Sequence, residues 1–303
     1  MIDVHAHLGK VMHGYPALTA EKLLRFMDQY GIAKSVILPL VAPEEEDYYY
    51  TTEQALADCA KHPDRLIPFA NMDPRRGQND GSYDFYPVLK EYADSGCKGF
   101  GEILANLPTN DPRMKGIYRA CGRLGFPVVF DFRWLRTSGV TDPVGMPFLE
   151  ECLKEFPETV FVGHGPSWWA EISADVTAEQ KKDYPKGPLV TPGRIDHLLA
   201  TYPNLHADLS ANSAINAFSR DLVYARKFVL RHYKKLMFGT DRFVREEEPV
   251  MIDLLRNMNL PKEIETAVFT HNAEHLLNLP NGAHSFVPTS PEEKNRRSAK
   301  CKQ

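Results

Sequence analysis

Met1-Ile2-Asp3-Val4-His5-Ala6-His7 opens the chain. Successive side chains of a strand point to opposite faces, so as a strand this stretch puts His5 and His7 on one face and Ile2, Val4 and Ala6 on the other. Two imidazoles projecting together at a strand end make half of a metal site. A surface histidine beside a core one leaves the same local pattern. What the other strands carry tips the balance towards a metal.

Ile2–His5 is the first of eight short, apolar, β-rich segments. The others are Ser35–Leu40, Leu66–Asn71, Lys98–Ile103, Pro127–Phe132, Thr159–Gly163, Leu205–Leu209 and Leu236–Thr240. Their starts lie roughly 30 residues apart, the length of one βα unit. Helical stretches fill the gaps. Thr19–Tyr30 carries Leu23, Leu24, Met27 and Tyr30 at helical spacing and stops at Gly31, and Tyr83–Ser95 stops at Gly96. Asp111-Pro112 and Thr191-Pro192 read as N-caps followed by proline at the first helical position. Eight such units predict an α/β fold, a (β/α)8 TIM barrel forming a single domain over residues 1–279. A doubly wound sheet has fewer strands and a glycine-rich first turn, and no GxGxxG occurs. The sixth βα loop, about 166–191, is extended, and long loops at this face are where barrels build pockets. The acidic run Glu44-Glu45-Glu46-Asp47 reads as a solvated loop. Residues 280–303 are polar and basic and read as a flexible tail, with attachment to a neighbouring subunit as the alternative.

Bulk properties narrow the function. The 303 residues are 43% hydrophobic, enough for a substantial core, and carry a net charge of −4. That charge gives no general attraction to nucleic acid. No run of about 18 apolar residues offers a membrane span. Cys59, Cys97, Cys121, Cys152 and Cys301 are scattered without a CxxC pair, which favours a reducing compartment over a disulfide framework. A strand starting at residue 2 leaves no room for a signal peptide, so the expected location is cytoplasmic. The expected partner is a small-molecule substrate, with no nucleic acid and no membrane; a homo-oligomer is left open.

Polar residues recur where the apolar strands stop, and in a barrel those ends converge on one mouth. The fourth strand ends in Glu102, the fifth in Asp131 with Arg133 on the same face, and the sixth in His164. The seventh alternates His206, Asp208 and Ser210 with Leu205, Ala207 and Leu209, and the eighth ends in Asp241. Buried charge is costly unless paired or metal-bound. A structural ion-pair network is the plainer explanation, and the repetition favours a site. Trp168 and Trp169 follow His164 closely; one suits the core, the other a pocket wall against a planar or apolar substrate. His271 and His275 lack the HExxH order and read as surface or packing residues. His206 reads as a hydrogen-bonded core histidine.

His5-x-His7, His164 in Gly-His-Gly and Asp241 in Phe-Gly-Thr-Asp together resemble the amidohydrolase superfamily. Asn204-Leu-His-Ala-Asp-Leu-Ser and Asn272-Ala273…Leu276-Leu277 are similar to the branch that includes aminocarboxymuconate-semialdehyde decarboxylase. The resemblance runs from residue 2 to about 279. It implies a (β/α)8 barrel with one or two divalent metals, often zinc, used for hydrolysis or for non-oxidative decarboxylation. It implies that His5 and His7 are ligands, that Asp241 is a ligand and proton shuttle, and that His164 is a second-metal ligand or a catalytic group. One departure stands out: the family places a histidine where this chain has Asp131, which can bind metal or pair with Arg133. Glu102 sits in a Gly-Glu-Ile setting similar to the bridging carboxylate of TatD-like hydrolases, and is either a ligand or an acceptor that orients a histidine.

The expected activity is therefore that of a metal-dependent hydrolase. A divalent ion, zinc first and manganese second, is held by His5, His7 and Asp241 with help from His164, Glu102 or Asp131. It lowers the pKa of water towards roughly 7. Asp241 moves the proton, and Arg133 or Arg194 steadies the developing oxyanion. A decarboxylase of an aromatic or unsaturated acid is the alternative, and a non-catalytic relative with a degraded site a third.

Overall fold

The computed structural model describes residues 1–42, 47–133, 139–243 and 248–279. Most of the acidic run and the whole 280–303 tail lie outside them. Eight barrel strands follow one another along the chain: β1 (Ile2–Ala6), β2 (Lys34–Ile37), β3 (Leu66–Pro68), β4 (Phe100–Ile103), β5 (Val128–Phe130), β6 (Phe161–Gly163), β7 (Leu205–Asp208) and β8 (Leu236–Met237). They are mostly shorter than the apolar segments that announce them. All pairings among them are parallel, in one ladder β1-β2-β3 and another β4-β5-β6-β7-β8.

Individual backbone hydrogen bonds span the two seams between the ladders. At one, Lys98 N donates to Pro68 O (3.0 Å) and Ala70 N to Gly99 O (2.9 Å); at the other, Val4 N donates to Phe238 O (3.0 Å) and Asp241 N to His5 O (2.8 Å). Ring order thus follows chain order, the arrangement of a (β/α)8 barrel.

Alternate strand residues fill the ring. Ile2, Val4, Val36, Leu38, Ile67, Phe69, Val129, Val162 and Met237 form one buried cluster, closed from below by Ala273 and Leu277. A larger cluster lies between strands and helices. Each fully buried aliphatic side chain contributes about 1.5–3 kcal/mol relative to exposure. The helices are set by local signals. Ala20–Tyr30 starts at Thr19, whose hydroxyl accepts from Lys22 N. It buries Leu23, Phe26 and Met27 and ends at Gly31, whose φ of 72° favours glycine. Asp111 caps Pro112–Leu124 through Arg113 N. Two expectations shift. The helix read from Tyr83 runs from Tyr86 to Asp94. The helix read from Thr191-Pro192 begins at Arg194 with Gly193 as its cap. Among the described residues no helix is long and apolar enough to cross a membrane.

The strict alternation read from the first seven residues does not survive. Between the pairs Asp3↔Ser35 and Ala6↔Ile37, β1 advances one residue more than β2. Such a bulge resets the pleat. Ile2 and Val4 therefore join the ring interior, Ala6 joins the outer core, and His5 and His7 still turn into the mouth. β4 repeats the device: between Phe100↔Val128 and Ile103↔Phe130 it too gains one residue. Gly101 sits there with φ 126°, and a Cβ on it would come 2.5 Å from Val129 O. Only glycine fits, and the irregularity directs Glu102 inwards.

Candidate metal centre

The bulges of β1 and β4 and the end of β8 bring four side chains to one point. His5 Nε2 and His7 Nε2 lie 3.1 Å apart. Glu102 Oε2 is 3.3 Å from each, and Asp241 Oδ1 is 3.6 Å from His5 Nε2 and 3.3 Å from His7 Nε2. The other ring nitrogens are committed. His5 Nδ1 donates to Asp208 Oδ2 (2.5 Å) and His7 Nδ1 to Leu38 O (2.9 Å). A carboxylate and a carbonyl can only accept, so both protons belong on Nδ1. In the neutral rings, two Nε2 lone pairs then face two carboxylate oxygens. Lone pairs converging on charge in this way form the donor set of a divalent cation, and the residues fit one.

The electrostatics agree. Burial alone would depress the pKa of His7, but Asp241 and Glu102 outweigh it and raise it to about 9. His5 is likewise raised against its burial by Glu102 and Asp208. Glu102 is held well below the carboxylate range by His5, His7 and His164, against its own burial. Cation-seeking charge is thus concentrated at one place. Asp3 braces the ring beneath it. It accepts from Thr240 N (2.9 Å), Thr240 Oγ1 (2.7 Å) and His5 N (3.1 Å), and burial still lifts its pKa to about 6.

Asp241 differs from its partners. Its side chain is 19% exposed, against 6% or less for the other three. Its φ is 54°, the left-handed region that aspartate enters more readily than most non-glycine residues. It lines a cavity of about 440 Å3 with Thr240, Arg242, Phe243, Asn212 and Ile215. Ala211, φ 63°, lies on the same wall.

His164 joins the cluster from the end of β6, its Nε2 3.4 Å from Glu102 Oε1. Asp131 is near enough to share a cation with Glu102 and His164, but its carboxylate is ion-paired with Arg133. Burial pushes Asp131 up to about 6, with Arg133 pulling the other way. Asp131→His should therefore destabilise the protein by about 1–3 kcal/mol, the cost of an unmet charged partner, and leave metal content unchanged. Tighter metal binding without a fall in Tm would instead make this position a ligand.

Three expected substrate contacts lie elsewhere. Trp168 and Trp169 are 0% and 1% exposed, so neither walls a pocket. Trp168 packs over Phe132 and into the space left by Gly163, where a Cβ would come within 2.4 Å of its ring. Trp169 packs against Phe218 and Phe228. Arg194 bonds Gly145 O (2.8 Å) and Glu150 (2.5 Å) and serves helix packing. His206 stands nearer the start of β7, outside the cluster, and burial lowers its pKa to about 4. His271 and His275 are exposed. Sequence reasoning missed the roles of Asp208 and of the Leu38 carbonyl. Asp208 was visible in the alternation of the seventh strand; a backbone acceptor leaves no signal.

A family model described as amidohydrolase matches residues 2–279. No curated protein matches the chain. Solved structures with the same fold include a putative 2-pyrone-4,6-dicarboxylic acid hydrolase from Pseudomonas putida, at 16% identity and TM-score 0.61, covering 93% of this chain and 98% of that one. The 5-carboxyvanillate decarboxylase of Sphingomonas paucimobilis gives 13% and 0.59, covering 92% and 99%. A dihydroxybenzoic acid decarboxylase from Polaromonas sp. JS666, with bound manganese and the inhibitor 2-nitroresorcinol, gives 14% and 0.56, covering 94% and 99%.

Proposed function

The chain belongs to the amidohydrolase family, and from that premise we propose that it is a metal-dependent hydrolase of small molecules, acting on an amide, ester, lactone or similar bond. The observation that carries the proposal is the convergence of His5, His7, Glu102 and Asp241, with Asp241 opening to a cavity. His5, His7 and Asp241 would hold a divalent cation and Glu102 would complete the set. Imidazole nitrogens favour zinc, and two carboxylates also suit manganese. When bound, the cation supplies the Lewis acidity that lowers the pKa of water towards roughly 7 and polarises a carbonyl.

The rest of the work falls to the chain's own residues. Asp208 and the Leu38 carbonyl hold His5 and His7 with their Nε2 atoms directed inwards. Asp241 accepts the proton of the attacking water and delivers it to the leaving group. Arg133, whose side chain is 40% exposed beside Asp131, offers N–H donors to a developing oxyanion or to a substrate carboxylate.

That same arginine favours a second reading, decarboxylation. There it grips the departing carboxylate, and an acid, Asp241 or His164, protonates the carbon left behind. Two of the solved structures with this fold are named as decarboxylases. The two chemistries differ in the fate of water. Esters, lactones, amides and aromatic acids are screened for turnover, and the reaction is then run in 18O-labelled water. Labelled product without CO2 release is the expected result. Release of CO2 with no 18O at the reacting carbon would replace hydrolysis with decarboxylation.

A further inference from the structure

Asp208 and Ser210, at and just beyond the end of β7, reach none of the atoms that would touch a substrate. Both are 1% exposed. Asp208 Oδ1 accepts from Ser210 N (2.8 Å), which fixes the carboxylate's orientation. Its Oδ2 accepts from His5 Nδ1 at 2.5 Å and lies 3.4 Å from His164 Nδ1. Ser210 Oγ is 3.0 Å from that same His164 nitrogen. The two imidazole rings stand 4.3 Å apart, centre to centre. One carboxylate therefore sits behind two histidines whose opposite nitrogens face Glu102. The fit is tight: a Cβ on Gly239 would approach Asp208 Oδ1 to 2.6 Å and His5 Cβ to 3.2 Å.

A carboxylate beside a ring nitrogen favours the proton on that nitrogen. At His5 this leaves Nε2 bare. At His164 the serine alone is ambiguous, because a hydroxyl can donate to Nδ1 or accept from it. The negative charge of Asp208 decides in favour of Nδ1–H donating to Ser210 Oγ, which leaves Nε2 bare at this ring too.

We propose that Asp208 is a positioning residue shared by His5 and His164, holding both in the Nδ1–H tautomer with Ser210 as the second acceptor at His164. Through this one carboxylate, cation binding at His5 is coupled to the state of His164. With a cation held at His5, the Nδ1–H of His5 would donate more strongly to Asp208, and less of that carboxylate's charge would be left for His164. The coupling rests on the metal-dependent reading above; the tautomer assignment does not.

The test reads imidazole 15N shifts in protein labelled at histidine, at alkaline pH so that neutral rings are observed, with and without zinc. Zinc Kd is measured in parallel. In the wild type, His5 and His164 carry their protons on Nδ1. In Asp208→Asn both rings gain Nε2–H population, and the zinc Kd rises about 10–100-fold. In Ser210→Ala the shifts of His164 alone change, and the zinc Kd stays at the wild-type value. Nε2–H tautomers in the wild type, or Asp208→Asn spectra identical to wild type, overturn the proposal. If Asp208→Asn does not fold, the wild-type spectra decide: Nδ1–H tautomers at both His5 and His164 uphold the proposal, and an Nε2–H tautomer at either overturns it. A wild type that binds no zinc defeats the metal-dependent reading, while the metal-free spectra still decide the tautomers.

Discussion

Asp241→Asn lowers kcat/KM by about 10²–10⁴-fold, the range that a general acid–base contributes, and leaves Tm close to that of the wild type. The substitution isolates the carboxylate. Asp241 has φ 54°, and asparagine is among the few residues that tolerate the left-handed region. The backbone turn, with its Asp241 N to His5 O bond of 2.8 Å, is therefore kept. What is lost is a basic oxygen facing the cavity, on the most exposed member of the four-donor set. Both proposed reactions use this carboxylate to hold the cation, and hydrolysis also gives it the proton, so a loss is expected for either. It is checked by steady-state kinetics on the first substrate found and by thermal unfolding. Activity near the wild-type value would remove Asp241 from the mechanism.

The second large effect is on stability. Lys181, in the extended sixth loop, is fully buried. Its Nζ bonds Glu171 Oε1 (2.7 Å) and Pro143 O (2.8 Å), and Gly145 N donates to the same Glu171 oxygen (2.8 Å). The ammonium ties this loop to the turn before the helix Pro147–Glu155. Lys181→Ala leaves the Glu171 carboxylate buried without its cation, a loss of about 3–5 kcal/mol. For a domain of this size that is a fall in Tm of roughly 10 °C. Glu171→Gln added to Lys181→Ala should recover part of the loss, because no uncompensated charge then remains. Calorimetry on the three proteins checks both statements. An unchanged Tm in Lys181→Ala would mean that the loop is held by its apolar contacts alone.

Much of the barrel could be read from the chain because its signals are local. Eight apolar segments, the Thr19 and Asp111 caps and the glycine at position 31 each state their element within a few residues. The phase of β1 could not be read, because the extra residue between Asp3 and Ala6 is seen only against β2. The inward turn of Glu102 depends on the same kind of irregularity in β4. His5, His7, Glu102, His164 and Asp241 were legible as polar ends of apolar strands, since ring closure must bring such ends together. A pocket wall was expected of one tryptophan because His164 is close in sequence, whereas both are buried and the space left by Gly163 takes Trp168 into the core. Arg194 was misread because its partner, Glu150, belongs to another helix. The part played by Asp208 appears only when β7 lies between β6 and β8 and its carboxylate reaches both histidines.

Every reaction proposed for this site depends on His5, His7, Glu102 and Asp241 holding a divalent cation. Elemental analysis of the reconstituted protein, beside a His5→Ala/His7→Ala double variant whose fold is checked by circular dichroism, tests it most directly. About one equivalent of zinc or manganese is expected in the wild type and close to none in the folded variant. Well under one equivalent in the wild type after reconstitution, or an undiminished amount in the folded variant, would contradict it.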